Sequence, residues 1–238
     1  ARGPATRRAW SAAAVSAGAL LLTAAVAAPG AYAFLTFQRD RGLEVESLGA
    51  LVFHVARQFG WEGRVELRYG SMEFAGPHVA LVSTLALALS VLGFGWLLLW
   101  RLRARAFAEH TPADAAFTAV LLFTVTSRVI SPQYMVWLVG LGAVCLVFRG
   151  TRMVVPVYLV LVATAVTLLE FPLGFAHVVA SDAQGVALMA VRNGLLVAAT
   201  ATAGWRLWRE TVPVGGQGAG EAGRVSRAGR ADTPASAP

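Results

Sequence analysis

Residues 79–100 read VALVSTLALALSVLGFGWLLLW, and residues 101–105 follow at once as RLRAR. A charge-free run of this length covers the ~30 Å hydrocarbon core of a bilayer as a helix. Arginines directly behind it mark the face at which it stops, because cationic loops stay on the cytoplasmic side. The same punctuation recurs along the chain. There is no lysine, and arginines cluster at Arg2, Arg7 and Arg8, at Arg101, Arg103 and Arg105, at Arg149 and Arg152, and at Arg206 and Arg209. Each cluster is separated from the next by two apolar stretches. That is the pattern of helical hairpins dipping out and back, and it places the segment 38–78, the tip 128–134 and the loop 170–184, which opens with Glu170-Phe171-Pro172, on the outer face.

Composition supports a membrane class. The 238 residues are 57% hydrophobic and 14% charged, too apolar for an ordinary soluble domain. The pI near 10.9 would otherwise suggest nucleic acid, but these arginines sit in short loops beside apolar spans, where topology accounts for them. Cys145 is the single cysteine and lies within an apolar span, so an intramolecular disulfide is excluded and a cysteine metal site is not expected. The chain opens on Ala1, as expected of a fragment or a processed chain.

Six spans follow, making an all-α polytopic bundle with both termini cytoplasmic. They are expected at 9–37, 79–100, 111 to about 130, 131 to about 148, 153–169 and 186–208. The first also has the features of a secretory signal, with Arg7-Arg8, an apolar core and Ala31-Tyr32-Ala33. The third opens with Thr111 as cap and Pro112 as first helical residue, and Ser131-Pro132 repeats that start signal for the fourth. In the outer loop, Val45, Leu48, Val52, Val55 and Phe59 recur at helical spacing and Gly60 supplies a stop, which predicts an amphipathic helix at the interface. Arg64 to Tyr69 alternates polar with apolar, and Gly70-Ser71 before Met72 fits a small hairpin. The membrane domain is expected to span residues 1–210, and the Gly-, Ala-, Pro- and Arg-rich residues 211–238 to form a disordered cytoplasmic tail.

Soluble-enzyme signatures are absent: there is no phosphate-binding glycine loop, no paired-cysteine motif and no histidine pair at zinc spacing. His54, His78, His110 and His177 are scattered, so no metal and no cofactor is expected. Two stretches carry chemistry. At the hairpin tip, a helix starting at Ser131-Pro132 would offer first-turn N–H groups and a positive dipole end beside Arg128, a setting for a lipid phosphate. Arg128, Ser131, Gln133 and Tyr134 form that candidate site, and a simple turn with Arg128 reaching to headgroups is the alternative. The second stretch, Arg39 to Ser47, sets two arginines and three carboxylates just past a membrane exit. Arg41, Glu44, Glu46 and Ser47 are its candidate substrate-loop residues, against the alternative of a charged helix start.

These two stretches, RDRGLEVES at 39–47 and SPQYMVWL at 131–138, resemble motifs of the actinobacterial glycosyltransferase family 87 membrane proteins. The resemblance covers about residues 10–208 and concerns the C-terminal half of that family's usual length. It implies a GT-C type fold and an outer-face site that moves a hexose, expected to be mannose, from a polyprenyl-phosphate sugar to a glycolipid or glycan. Such an enzyme is multi-pass in the cell membrane. Its catalytic acid residue is expected upstream of this chain, so no catalytic residue is assigned and the fragment alone is expected to be inactive. A transporter or flippase of lipid-linked intermediates, or a non-catalytic membrane scaffold, is the competing expectation.

Overall fold

In the computed structural model the described residues are 4–28 and 30–213; the tail expected from 211 onward lies almost wholly outside them. The chain divides into two compact units, Ala1–Arg41 with Leu67–Ser71, and Gly42–Glu66 with Met72–Pro238. In the first unit, α1 (Pro4–Ala27) and α2 (Ala33–Asp40) replace the single span expected at 9–37. The break lies where Gly30 takes a left-handed φ of 90°, which ends a helix at little cost only for glycine. Phe37 meets Tyr69 edge to face, ring centres 5.3 Å apart.

The second unit holds α3 (Ala50–Gln58), α4 (Val79–Arg103), α5 (Thr111–Thr126), α6 (Tyr134–Val147), α7 (Val154–Leu168), α8 (Phe175–Ala180) and α9 (Ala183–Thr211). The protein is thus an all-α bundle. Among the described residues four helices are long and apolar enough to cross a membrane: Arg7–Ala27, Val79–Arg103, Val154–Leu173 and Ala183–Thr211. The two members of the Ser127–Gln133 hairpin, α5 and α6, are apolar but shorter, at 16 and 14 residues. Expected helix over 127–133 is instead a turn. The backbone there is committed elsewhere, since Arg128 gives its carbonyl to the Glu44 N–H and Val129 N–H bonds to Ser127 Oγ.

At the centre of the bundle α9 packs on α5 and α7. Its buried residues Met189, Arg192, Asn193, Leu196, Ala199, Ala203, Gly204 and Leu207 step by three or four, one helical face. Alanine and glycine on that face let backbones approach, the usual basis of helix packing in lipid. Phe117, Leu121, Leu138 and Val160 fill the space between. The far ends of α4 and α9 are joined through the Arg105 N–H to the Thr211 carbonyl and through Trp100 Nε1 to Thr211 Oγ1.

A small cap covers the other end. Strands β1 (Leu43–Glu44), β2 (Arg64–Arg68) and β3 (Ser71–Ala75) form a sheet in the order β1-β3-β2. The hairpin was expected with its turn at Gly70-Ser71. The turn is one residue earlier, at Tyr69 and Gly70, both with positive φ, as a two-residue turn matching strand twist requires; β1 was not anticipated. Helix α3 buries Ala50, Phe53 and His54, whereas Val52, Val55 and Phe59 of the expected stripe are exposed. Val45, also expected in that stripe, is buried and precedes the helix, as does the half-buried Leu48.

Gly185 sets how closely α8 meets α9. A Cβ there would lie against the His177 carbonyl and 2.6 Å from the Val178 nitrogen, backbone atoms that cannot swing aside. Gly185→Ala is therefore expected to destabilise the fold by about 1–3 kcal/mol. Gly194, on the same helix with nothing within 4 Å, is the control: its alanine variant should unfold no lower than wild type in a detergent thermal melt.

Candidate functional site

The site is built where the segment 42–47 is laid into the end of the bundle. Glu44 N–H donates to the Arg128 carbonyl at 3.1 Å and Val45 N–H to Met72 at 3.0 Å. The two chemistry-bearing stretches of the sequence, far apart in the chain, thus meet through one backbone hydrogen bond. Past this point the chain turns into α3, with Ser47 Oγ accepting from the Ala50 N–H.

The turn at Glu46 is held from below by α9. Arg192 Nη2 donates to the Glu46 carbonyl at 2.8 Å, and Asn193 Nδ2 reaches the carbonyls of Glu46 and Ser47 at 3.4 and 3.5 Å. From the side His54 takes part: its Nε2 lies 2.8 Å from the Val45 carbonyl and its Nδ1 2.8 Å from Ser181 Oγ. A carbonyl can only accept, so Nε2 carries the proton and Nδ1 accepts from the serine hydroxyl. Burial pushes His54 below its ordinary pKa and Arg57 adds to this, against the Val45 bond. Arg57 in turn donates to the Val179 carbonyl and to Ser181 Oγ.

Arg192 is fully buried and faces Glu170, also fully buried, with Nε 3.2 Å from Oε2 and Nη2 3.2 Å from Oε1. Glu46, at 4% exposure, has its carboxyl 3.9 Å from Nη2. Arg192 Nη1 and Asn193 Oδ1 are buried there without a hydrogen-bond partner. Glu170 and Glu46 are thus the two carboxyl groups beside the guanidinium, and Glu44 is buried close enough to Glu46 to act on its charge. Burial pushes Glu46 up to about 9; Arg192 opposes this, and Glu170 and Glu44 reinforce it. Burial here thus favours the protonated form of the Glu46 carboxyl, which can donate a hydrogen bond.

The candidate substrate-loop residues divide. Glu44, Glu46 and Ser47 are buried and build the cap rather than a solvent-facing surface. Arg41 is half-buried, and its guanidinium donates to Ser71 Oγ at 2.8 Å within the first unit. The candidate lipid-phosphate residues stay together on one connection. Arg128 is half-buried and donates to Ser83 Oγ at 3.3 Å. Gln133 is exposed and Ser131 half-buried, and Tyr134 stacks on Trp137 at 4.7 Å.

The helix was expected to start at Ser131-Pro132, with free first-turn N–H groups. It starts at Tyr134, and the N–H groups of Tyr134, Met135 and Val136 bond to the carbonyls of Ser131, Pro132 and Gln133. A tight first turn of this kind spends those donors internally. Beside Pro132 a cleft of about 450 Å³ runs between α6 and α7, lined by Pro132, Met135, Val139, Thr164, Leu168 and Phe171 among others. It is almost wholly apolar and follows α6 to Gly140, a distance of roughly 12 Å.

At the opposite end of the unit, one group among the described residues has metal-ligand chemistry. Ligand atoms of His110, Asp114 and Glu210 lie within 4.8 Å of one another. His110 Nε2 is 2.8 Å from Glu210 Oε1 and Thr151 Oγ1 donates to Asp114 Oδ1 at 2.7 Å, while Asp114 Oδ2 is buried without a hydrogen-bond partner. Sequence spacing missed this trio, because Glu210 is a hundred residues away from His110. Glu170, Asn193, His54 and Ser181 were missed likewise. Arg192 alone had a signal, as the ionisable residue well inside a span.

The shifted acidity of Glu46 has a sign. Its ordinary value is 4.5 and its folded value about 9, so the folded protein holds a proton that the unfolded chain releases across that window. Its contribution to stability is complete below about 4.5 and is lost as pH rises through about 9. Melting temperatures in detergent should fall over this range, and Glu46→Gln, which cannot titrate, should flatten the fall; an unchanged slope would remove Glu46 from the account.

No family model matches this chain, and neither a curated protein nor a solved structure does.

Proposed function

We propose that this chain is part of a membrane-embedded hexosyltransferase that uses a polyprenyl-phosphate sugar. The carrying observation is the apolar α6–α7 cleft opening at Pro132 on the connection that bears Arg128. A polyprenyl chain is apolar, flexible and elongated, and a cleft of this form in a lipid-facing helix pair suits it. The donor phosphate then lies near Arg128, Ser131 and Gln133. With the first-turn N–H groups already used, the guanidinium and the two polar side chains supply the donors. Tyr134 walls the site by its stacking on Trp137.

In the reaction an acceptor hydroxyl oxygen attacks the anomeric carbon, the bond from that carbon to the phosphate oxygen breaks, and polyprenyl phosphate departs. The hydroxyl proton passes to a base outside this chain, and Arg128 stabilises the departing phosphate. Glu46 and Ser47 serve as positioning residues, since they fix the loop whose Glu44 N–H holds the Arg128 backbone. Hexose as mannose, an outer-face glycolipid or glycan as acceptor, the cell membrane as location and cytoplasmic termini complete the proposal. A transporter is the second reading, favoured by the buried Arg192–Glu170 pair within a candidate span, a common mark of ion-coupled carriers.

Donor titration of the full-length protein in nanodiscs tests the first reading. Arg128→Ala deletes a charge-assisted contact of roughly 1.5–3 kcal/mol, so apparent donor affinity should drop about ten- to hundredfold. Arg128→Lys should restore part of it, because a point charge replaces a forked donor. Unchanged affinity with normal folding would reject the assignment, and donor movement across vesicles without sugar transfer would favour the transporter. Orientation has its own check: a cysteine at position 64 in a Cys145-free background should react with an impermeant reagent added outside.

A further inference from the structure

At the arginine-rich end of the second unit, about 20 Å along α9 from Arg192, two hollows adjoin. One, of about 480 Å³, is lined by Arg152, Trp205, Arg206, Arg209 and Glu210. The other, of about 380 Å³, is almost wholly apolar, and its lining includes Trp96, Leu122, Gly204, Trp205 and Trp208. Trp205 lines both, so a polar basin opens directly into an apolar cleft. We propose that this compound hollow is a binding site for an anionic phospholipid, separate from the donor site and independent of it.

Each part fits that occupant. Arg206 donates to the Arg152 carbonyl, which draws the connection before α7 against α9. Arg209 lies over the Trp205 ring at 5.1 Å. Three arginines thus line one basin. The carboxylate that could neutralise them, Glu210, has His110 2.8 Å away as its partner. Like charges held on one lining repel each other, and a phosphodiester, whose single negative charge is shared by two oxygens, relieves this through forked hydrogen bonds.

The cleft accounts for the rest of the molecule. Gly204 leaves its floor open, since a Cβ there would meet the Trp96 ring at 3.3 Å. Trp96 and Trp208, tilted 33° to each other with centres 6.0 Å apart, wall it with the rings that membrane interfaces favour. A free phosphate or nucleotide would have no use for this wall. An acyl chain beginning at a headgroup in the arginine basin would lie along it. Basic pockets between transmembrane helices next to an apolar surface are the general form of such sites.

The test compares lipids that share acyl chains. Native mass spectrometry of the purified full chain should show phosphatidylglycerol retained in preference to phosphatidylcholine. Arginines near a membrane surface contribute about fivefold each, so Arg206→Gln with Arg209→Gln should weaken phosphatidylglycerol about thirtyfold and leave phosphatidylcholine unchanged. Arg209→Gln alone, with about a fivefold loss, decides the matter if the double variant fails to fold. Glycerol phosphate, which lacks the chains, should bind far more weakly than the lipid. Equal retention of the two lipids by wild type, full retention by a folded variant, or glycerol phosphate binding as well as lipid would each overturn the proposal.

Discussion

A guanidinium sealed inside a helical bundle is the constraint on which the cap depends. Arg192 has no exposed surface, and an unpaired ion there would cost several kcal/mol. Glu170 supplies the opposite charge, but one carboxylate cannot occupy the five N–H donors of an arginine. The Glu46 carbonyl takes another. A charge buried in α9 therefore recruits a carboxylate from the end of α7 and a backbone turn from the segment before α3. Removing Glu170 leaves the cation uncompensated, at about 3–5 kcal/mol. Geometry propagates from there, because the turn so held delivers Glu44 to the backbone of Arg128.

Helices were readable where lipid or a packed face decides the residue type. The charge-free run of 79–100 and the three- and four-residue stepping of α9 needed no knowledge of neighbours. Ser127–Gln133 was misread as helix for an instructive reason. Ser131-Pro132 is a good local start signal, but the Arg128 carbonyl has a partner in β1, two residues that no periodicity can announce. In the same way the apolar stripe of α3 predicted a helix and not its inward face. Val52, Val55 and Phe59 are exposed, whereas His54 is inward because Val45 and Ser181 bond its ring.

The candidate site was legible in part. Both singled-out stretches are joined in the structure, and Arg128 with its neighbours remains on one connection beside an apolar cleft. The meaning of Glu44 and Glu46 was not legible, since the sequence shows acidity but not depth. Exposed, they would be a charged surface; buried, they become the frame of one. Glu170 looked like the start of a loop because Phe171 and Pro172 follow it. Only the fold brings it within 3.2 Å of Arg192.

Ionising Glu46 would add a further negative charge to a buried cluster in which Glu170 already faces Arg192 and both Glu170 and Glu44 repel it. The weakened acidity of Glu46 follows, for a proton on that carboxyl removes the repulsion. While Glu46 holds its proton the turn can rest on Arg192 and Asn193. Once it is lost, the repulsion from Glu170 and Glu44 acts on the turn that Arg192 grips. The Arg128 backbone is tied to the same segment through the Glu44 N–H, so the turn that Arg192 grips also holds the connection bearing Arg128.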